Sequence, residues 1–394
     1  MNEKLIYLDH AATTPIRTEV LDTMMPFLTS KYGNASSIYS IGRESRIAVD
    51  NARIMVSKAI NAENKEIYFT GSGTEADNWA IKGVAHSYKG DGMHLITSTI
   101  EHPAVLNVFK SLEKEGYSVT YLPVNSEGLI SLDELKAAIR PDTIFISIMF
   151  ANNEIGTIQP IADIGKIAHE HGIIFHTDAV QAAGALKINV REMNIDLLSL
   201  SGHKLYASKG VGALYIRKGI RIETQMIGGH QERGKRASTE NVAGIVGLGK
   251  AIELATTELE SNTKHLLELR DLTMERITER IPHILLNGSI THRLPGNVNF
   301  SFRFIEGESL LLMLDMYGIC ASSGSACTSG SLDPSHVLLA IGLSHEIAHG
   351  SLRMSFGREN TVEDVEYLVD CLEKIVTRLR EMSPLYNKAK CELE

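Results

Sequence analysis

Residues 66–88 read EIYFTGSGTEADNWAIKGVAHSY. A short run of strand character, EIYFT (66–70), ends in a glycine-rich turn, and from Thr74 onward the pattern is that of an amphipathic helix. Strand, tight turn and helix in that order make the unit from which parallel α/β sheets are built. The turn also has a chemical consequence. Glycines let the backbone N–H groups at a helix N-terminus approach a ligand closely, and with the Thr74 hydroxyl they form an anion site. Gly71-Ser72-Gly73-Thr74-Glu75-Ala76 fits the dinucleotide pattern G-x-G-x-x-G/A, and Glu101 lies near the end of the next strand, where a ribose-binding acid is needed. From these residues alone a dehydrogenase, any other phosphate-bearing ligand, and a plain tight turn all stay open.

The same rhythm extends outward. Strand candidates follow at HLITST (94–99), VTYLPV (119–124), TIFISIMF (143–150), IIFHT (173–177), LLSLS (197–201) and GALYIR (212–217), with helical segments such as PIADIGKIAHEHG between several of them. Strands apolar on both faces, alternating with helices, argue a mostly parallel, seven-stranded sheet covered on both sides. From about residue 243 a long helical stretch runs to 281. Short strands follow in HILLNG and NVNFSF, and a last amphipathic helix, VEDVEYLVDCLEKIVTRLREM, comes near the end. The expectation is α/β: a large domain over 15–260 and a small α+β domain from 1–14 and 261–394.

Bulk properties narrow the function. The chain has 394 residues, 43% hydrophobic, with a formal net charge of -9 and no block of Lys or Arg, which disfavours nucleic acid and anionic membranes. MNEKLIYLDH lacks the apolar core of a signal peptide, and TIFISIMFA (143–151) is too short to span a bilayer. Cys320, Cys327, Cys371 and Cys391 form no C-x-x-C pair, which suits a reducing cytoplasm. HEIAHG (345–350) matches the zinc-protease pattern H-E-x-x-H. Gly350 and a strand-like run follow at once, however, so the expectation is a short polar turn whose histidines hydrogen-bond locally.

Three further strand ends carry polar groups, at the edge where open α/β sheets bind ligands. ITSTIEHPAV supplies His102, FHTDAVQAAG supplies Asp178 and Gln181, and LLSLSGHKLYASKG supplies Ser201, His203 and Lys204. A phosphate cradle, an acid, an aromatic ring and an amine together match the needs of pyridoxal phosphate, which uses a Schiff-base lysine and an acid on the pyridinium nitrogen. Lys209 is a rival for the lysine, but it precedes a new strand. One more segment asks for a reason: CASSGSACTSGSL (320–332) carries a thiol, Cys327, among residues too small to pack, which favours movement.

YLDHAATTP, GSGTEADN, EHPAV, ANNEIGTIQPI, HTDAVQAAG, SGHK, SSGSACTSG and HGSLRMSFGR resemble the NifS/IscS group of cysteine desulfurases, within the class V aminotransferases, over almost the whole chain. The resemblance implies a fold-type I, aspartate-aminotransferase-like homodimer that binds pyridoxal 5'-phosphate. It implies conversion of L-cysteine to L-alanine, with the sulfur held as a persulfide on Cys327 in a long loop (about 321–334). Delivery to an IscU/NifU-like iron–sulfur scaffold would follow, with no intrinsic metal, although Cys327 would transiently ligate a cluster shared with the scaffold. Carried over position by position, Lys204 is the Schiff-base lysine, His102 stacks on the ring and shuttles a proton, Asp178 meets the ring nitrogen and Gln181 the ring oxygen. Gly73, Thr74, Ser201 and His203 hold the phosphate, joined by Thr239 from the partner subunit; Asn153 and Arg353 bind the substrate carboxylate. Ala35, Tyr39 and Ser238 depart from the residues usual in relatives, Ser238 standing where a glycine is common. Selenocysteine lyase, a nucleotide-dependent dehydrogenase and a non-catalytic binding protein are the alternatives.

Overall fold

Strands apolar on both faces must be covered on both faces, and the computed structural model, which describes residues 5–323 and 334–386, buries them in that way. β1 (Ile6–Tyr7) belongs to a separate ribbon. The central sheet contains β2 (Ile67–Thr70), β3 (His94–Ser98), β4 (Ser118–Leu122), β5 (Thr143–Ser147), β6 (Ile174–Asp178), β7 (Leu197–Ser201) and β8 (Gly212–Ile216). Their spatial order is β2-β8-β7-β6-β5-β3-β4, and only β8 runs antiparallel to its neighbours. The sheet is the mostly parallel, seven-stranded one expected. Every residue of β3 and of β5 to β8 is buried, while the edge strand β4 is half-exposed.

On one face the helices Gly73–Ser87 and Pro103–Lys114 pack through Trp79, Val84 and Phe109. On the other, Val56, Ile164 and Leu248 come from the helices Ser40–Ala59, Ile161–Glu170 and Val242–Thr257. The single helix read over 243–281 is two helices. Glu258, at φ -96 and ψ 6, separates Val242–Thr257 from Leu259–Arg280. The first helix packs in the core of the large sheet and the second, through Leu269 and Ile277, in another core. Apolar periodicity runs straight across a one-residue break, so the sequence pattern does not reveal it.

That second core surrounds an antiparallel sheet of β9 (Ile284–Leu286) and β10 (Asn297–Phe302) with a later strand. β11 (Ile319–Cys320) pairs instead with β1, and β12 (Ser351–Ser355) completes the sheet in the order β12-β10-β9. Helix Val362–Met382, started by a Thr361–Asp364 capping box, lays Leu368, Leu372 and Ile375 against Phe300 and Phe302. Ile6 and Leu8 join the same core, so the chain's first described residues pack beside its last strands.

HEIAHG forms one five-residue helix, His345–His349, followed directly by β12. Both histidines are exposed, and Ser344 caps the turn by accepting from the Ile347 N–H. Cys371 is buried in the second core and Cys320 is half-buried on β11. Cys327 and Cys391 lie outside the described residues.

Candidate active site

The carboxyl ends of β2, β3, β5, β6 and β7 meet at one edge of the sheet, and there they wall a cavity of about 270 Å3. Gly73, Thr74, His102, Asn153, Asp178, Gln181, Ser201, His203, Lys204 and Arg353 all line it. These come from six separate stretches of chain. Lys209 is exposed and takes no part in the lining, which separates it from Lys204. Thr239 is exposed and away from the cavity of its own chain.

One end of the cavity is built by the turn quoted at the outset. Ser72 caps the helix Gly73–Ser87 by accepting from the Glu75 N–H at 3.1 Å. Glu75 in turn accepts from the Gly71 N–H at 2.7 Å and is held by both arms of Arg236 at 2.7 and 3.0 Å. A methyl placed on Gly73 would stand 2.9 Å from Val180 Cγ2 and 3.2 Å from Ser201 Cβ, so the close approach of backbone to the cavity requires glycine here.

Lys204 follows β7 in a single turn of 3-10 helix, and its Nζ donates to the carbonyls of Ala11 and Ala12, each at 2.5 Å. Gln181 Nε2 donates to the same Ala11 carbonyl at 3.0 Å. Asp178, the last residue of β6, accepts from the Val180 N–H at 2.9 Å. Burial pushes the Asp178 carboxyl up, and the charges of His102 and Lys204 pull against that. His102 Nδ1 accepts from the Ala104 N–H at 3.1 Å, and burial holds its imidazole below the usual histidine range. His203 is pushed down to about 4, first by burial and then by Lys204.

Arg353, on β12, is 3% exposed. Its Nη2 donates to Asp9 Oδ1 at 2.7 Å and its Nη1 to the Asn153 carbonyl at 3.2 Å, while the buried Nε–H finds no acceptor among the described residues. A buried donor without an acceptor is costly, and Arg353 is itself a lining residue of the cavity. Ser322 exchanges backbone hydrogen bonds with Arg353 at 3.1 and 2.6 Å. Ser335 donates to the buried carboxyl of Glu154. Ser322 therefore stands beside the cavity residue Arg353, and Ser335 beside Glu154, the neighbour of the cavity residue Asn153. Cys327 itself lies outside the described residues.

An aminotransferase class-V family model matches residues 6–368. The chain belongs to that family. Among class-V proteins it is 58% identical over 385 residues to "Cysteine desulfurase IscS" of Clostridium botulinum strain Hall, covering 97% of each chain. It is also 58% identical to the protein of that name from Methanosarcina thermophila, over 98% of this chain and 95% of the relative. Among solved structures, a "NifS-like protein" superposes with a TM-score of 0.90 at 37% identity, over 95% of this chain and all of the other. The class-V fold is thus present throughout the described chain.

Sequence reasoning missed several members of this class-V site. Asp77 lines the cavity from within the helix Gly73–Ser87, Asp9 pairs with Arg353, and the Ala11 and Ala12 carbonyls hold Lys204. YLDHAATTP stands out as a motif, but a backbone carbonyl leaves no signature in side-chain identity. Glu101, the acid that would suit a dehydrogenase, is fully buried and does not line the cavity. Its carboxyl accepts from Ser98 Oγ at 2.6 Å and from the Met149 N–H at 3.0 Å.

Proposed function

We propose that this protein is a cysteine desulfurase that uses pyridoxal 5'-phosphate to convert L-cysteine to L-alanine, retaining the sulfur on Cys327 as a persulfide. The observation that carries the reading is a single cavity uniting Lys204, Asp178, His102, the Gly73–Thr74 helix start and Arg353. The donor set fits the cofactor. The glycine cradle that a Cβ would fill suits a phosphate, the buried Asp178 suits a ring nitrogen, and Lys204 lines the same cavity. Pyridoxal phosphate, when bound, supplies an electron sink conjugated to the substrate's Cα.

The chain's own residues divide the remaining work. Lys204 would hold the cofactor aldehyde, and its amine would serve as the base for the substrate's Cα proton. Asp178 would keep a proton on the ring nitrogen, Gln181 would meet the ring oxygen, and Ser201 and His203 would join Gly73 and Thr74 in holding the phosphate. Arg353 offers its unpaired Nε–H to the substrate carboxylate, with Asn153 alongside. His102, held neutral by burial, would hold the face of the ring and accept a proton. The thiolate of Cys327 attacks the substrate sulfur; the C–S bond breaks, and the carbon takes up a proton to become alanine. One thiol and one cysteine thus give one persulfide and one alanine, with no external oxidant.

The proposal extends to a homodimer in the cytoplasm that passes its sulfur to an IscU/NifU-like iron–sulfur scaffold. Ile38 and Ile227, each 88% exposed, are apolar surface suited to a second copy, whose Thr239 would reach this cavity's phosphate. No helix among the described residues is long and apolar enough to cross a membrane.

The deciding experiment incubates the cofactor-loaded protein with L-cysteine and a reductant and measures sulfide and alanine. Wild type should give equal amounts of both, and Cys327→Ala almost none. Undiminished turnover by Cys327→Ala would move selenocysteine lyase forward, and no turnover by either protein would sink the assignment.

A further inference from the structure

Two buried carboxyls, Asp178 and Asp77, line the cavity, and a third, Glu101, is buried beside the lining residue Met149. Asp178 is 7% exposed, Asp77 1% and Glu101 not at all. They differ in what faces them. Asp178 has the charges of His102 and Lys204 nearby and an N–H from Val180. Asp77 faces Asp178 and Glu101, with a hydrogen bond from Ser199 as its support. Its Oδ1 has no hydrogen-bond partner and lies 3.7 Å from His176 Nε2. That histidine cannot neutralise it. Both ring nitrogens of His176 are taken by hydroxyls, Ser147 at 2.8 Å and Ser199 at 3.0 Å, and complete burial pushes it down to about 3. Glu101 faces Asp178, holds Ser98 and the Met149 N–H on one oxygen, and leaves Oε2 without a partner. Its backbone carbonyl, not its carboxyl, accepts from His336 Nε2 at 3.0 Å. Among the described residues no Lys or Arg forms an ion pair with either Asp77 or Glu101.

Three anions cannot share one dry interior. A buried carboxylate is tolerated only against a positive partner, and like charges at close range force protons onto all but one. We propose that Asp77 and Glu101 are positioning residues of the cofactor site, neutral acids that leave Asp178 as the one carboxylate of the three that would serve the ring nitrogen. The inference rests on the pyridoxal phosphate reading and adds two residues to it. Asp77 acts through Ser199, which sits directly across from Asp178 in the β6–β7 register. Glu101 acts through the backbone of Met149, a residue that itself lines the cavity. Burial agrees with the geometry, pushing Asp77 well up and Glu101 to about 8.

Infrared spectroscopy of the loaded enzyme at neutral pH tests this directly. The bands of protonated carboxyls should be present, one lost in Asp77→Asn and another in Glu101→Gln. In both variants the pH midpoint of the bound cofactor's visible absorbance should stay within about half a unit of wild type, because no charge is removed. Asp77→Ala, which exposes Ser199 and His176 to water, should loosen the cofactor about tenfold, with Asp77→Asn restoring it. Absence of the protonated bands, a midpoint shift of about one unit or more in either amide variant, or an Asp77→Ala protein that binds as wild type does would each overturn the proposal. If Asp77→Ala does not fold, the amide variants decide alone. A wild-type protein that takes up no pyridoxal phosphate would overturn the cofactor reading and this inference together. That failure shows in the parent protein, whereas failure of the inference alone shows only in the variants.

Discussion

Arg353 shows how much one side chain can be asked to do when it is buried. Its guanidinium is spread over Asp9, the Asn153 carbonyl and an open Nε–H. A lysine cannot copy that, because one ammonium lacks the planar fork. Arg353→Lys should therefore raise KM for L-cysteine roughly tenfold or more while kcat falls less, as steady-state kinetics would read. Glu101 gives a different signal. Burial moves its carboxyl from the ordinary 4.5 to about 8, so between those values the folded chain holds a proton that the unfolded chain has released. Its contribution to stability is fully present below the lower value and is lost as pH rises through the upper one. Glu101→Gln has no proton to lose. Urea midpoints measured from about pH 5 to pH 9 should fall less steeply in that variant than in wild type.

At the scale of elements, the strand–turn–helix unit at 66–88 was readable because each part has a local cause: apolar strand, glycine turn, Ser72 cap. What it holds was not. Gly73→Ala places a methyl 2.9 Å from Val180 Cγ2, a residue more than a hundred positions away in the chain. Either Val180 or the helix start must shift, and equilibrium titration should show cofactor affinity down roughly tenfold with the fold retained. The loop that supplies Arg236 to Glu75 is strained. Glu232, Arg233 and Ser238 have φ of 46, 59 and 94. Left-handed backbone costs a non-glycine residue roughly 1–2 kcal/mol, partly offset by glycine's freedom when unfolded. Ser238→Gly should thus stabilise the protein by about 0.5–1 kcal/mol in denaturant unfolding, and a loss of stability would refute the strain argument.

For the whole molecule, the cavity matters because two cores build it. The large sheet contributes Lys204, Asp178 and His102, while Arg353 comes from β12 in the second core and Ala11 and Ala12 cross between them. The Glu154 carbonyl accepts from Asn297 and Asn299 of β10 at 3.2 and 3.0 Å, a further tie between the halves. A ligand bound there cross-links both. By mass action, cofactor at a hundred times its Kd should add about 2.7 kcal/mol to stability. Calorimetry of apo and loaded protein should show the melting temperature rise on loading, and an unchanged value would mean that the cofactor binds the folded chain no better than the unfolded one.

Sequence by itself determined the alternation of strand and helix, the parallel sheet and the residue types at its carboxyl edge. Each of these follows from local causes: burial on both faces, glycine turns, caps. Motif resemblance then allowed Lys204, Asp178, His102 and Arg353 to be named together. The tertiary structure alone decided which chemistry surrounds them. That Asp9 faces Arg353, that the Ala11 and Ala12 carbonyls hold Lys204, and that Asp77 and Glu101 lie buried beside Asp178 are all contacts between residues far apart in the chain. Such contacts depend on how strands are ordered in space and on where a segment without periodicity is laid, and neither is encoded in a local pattern.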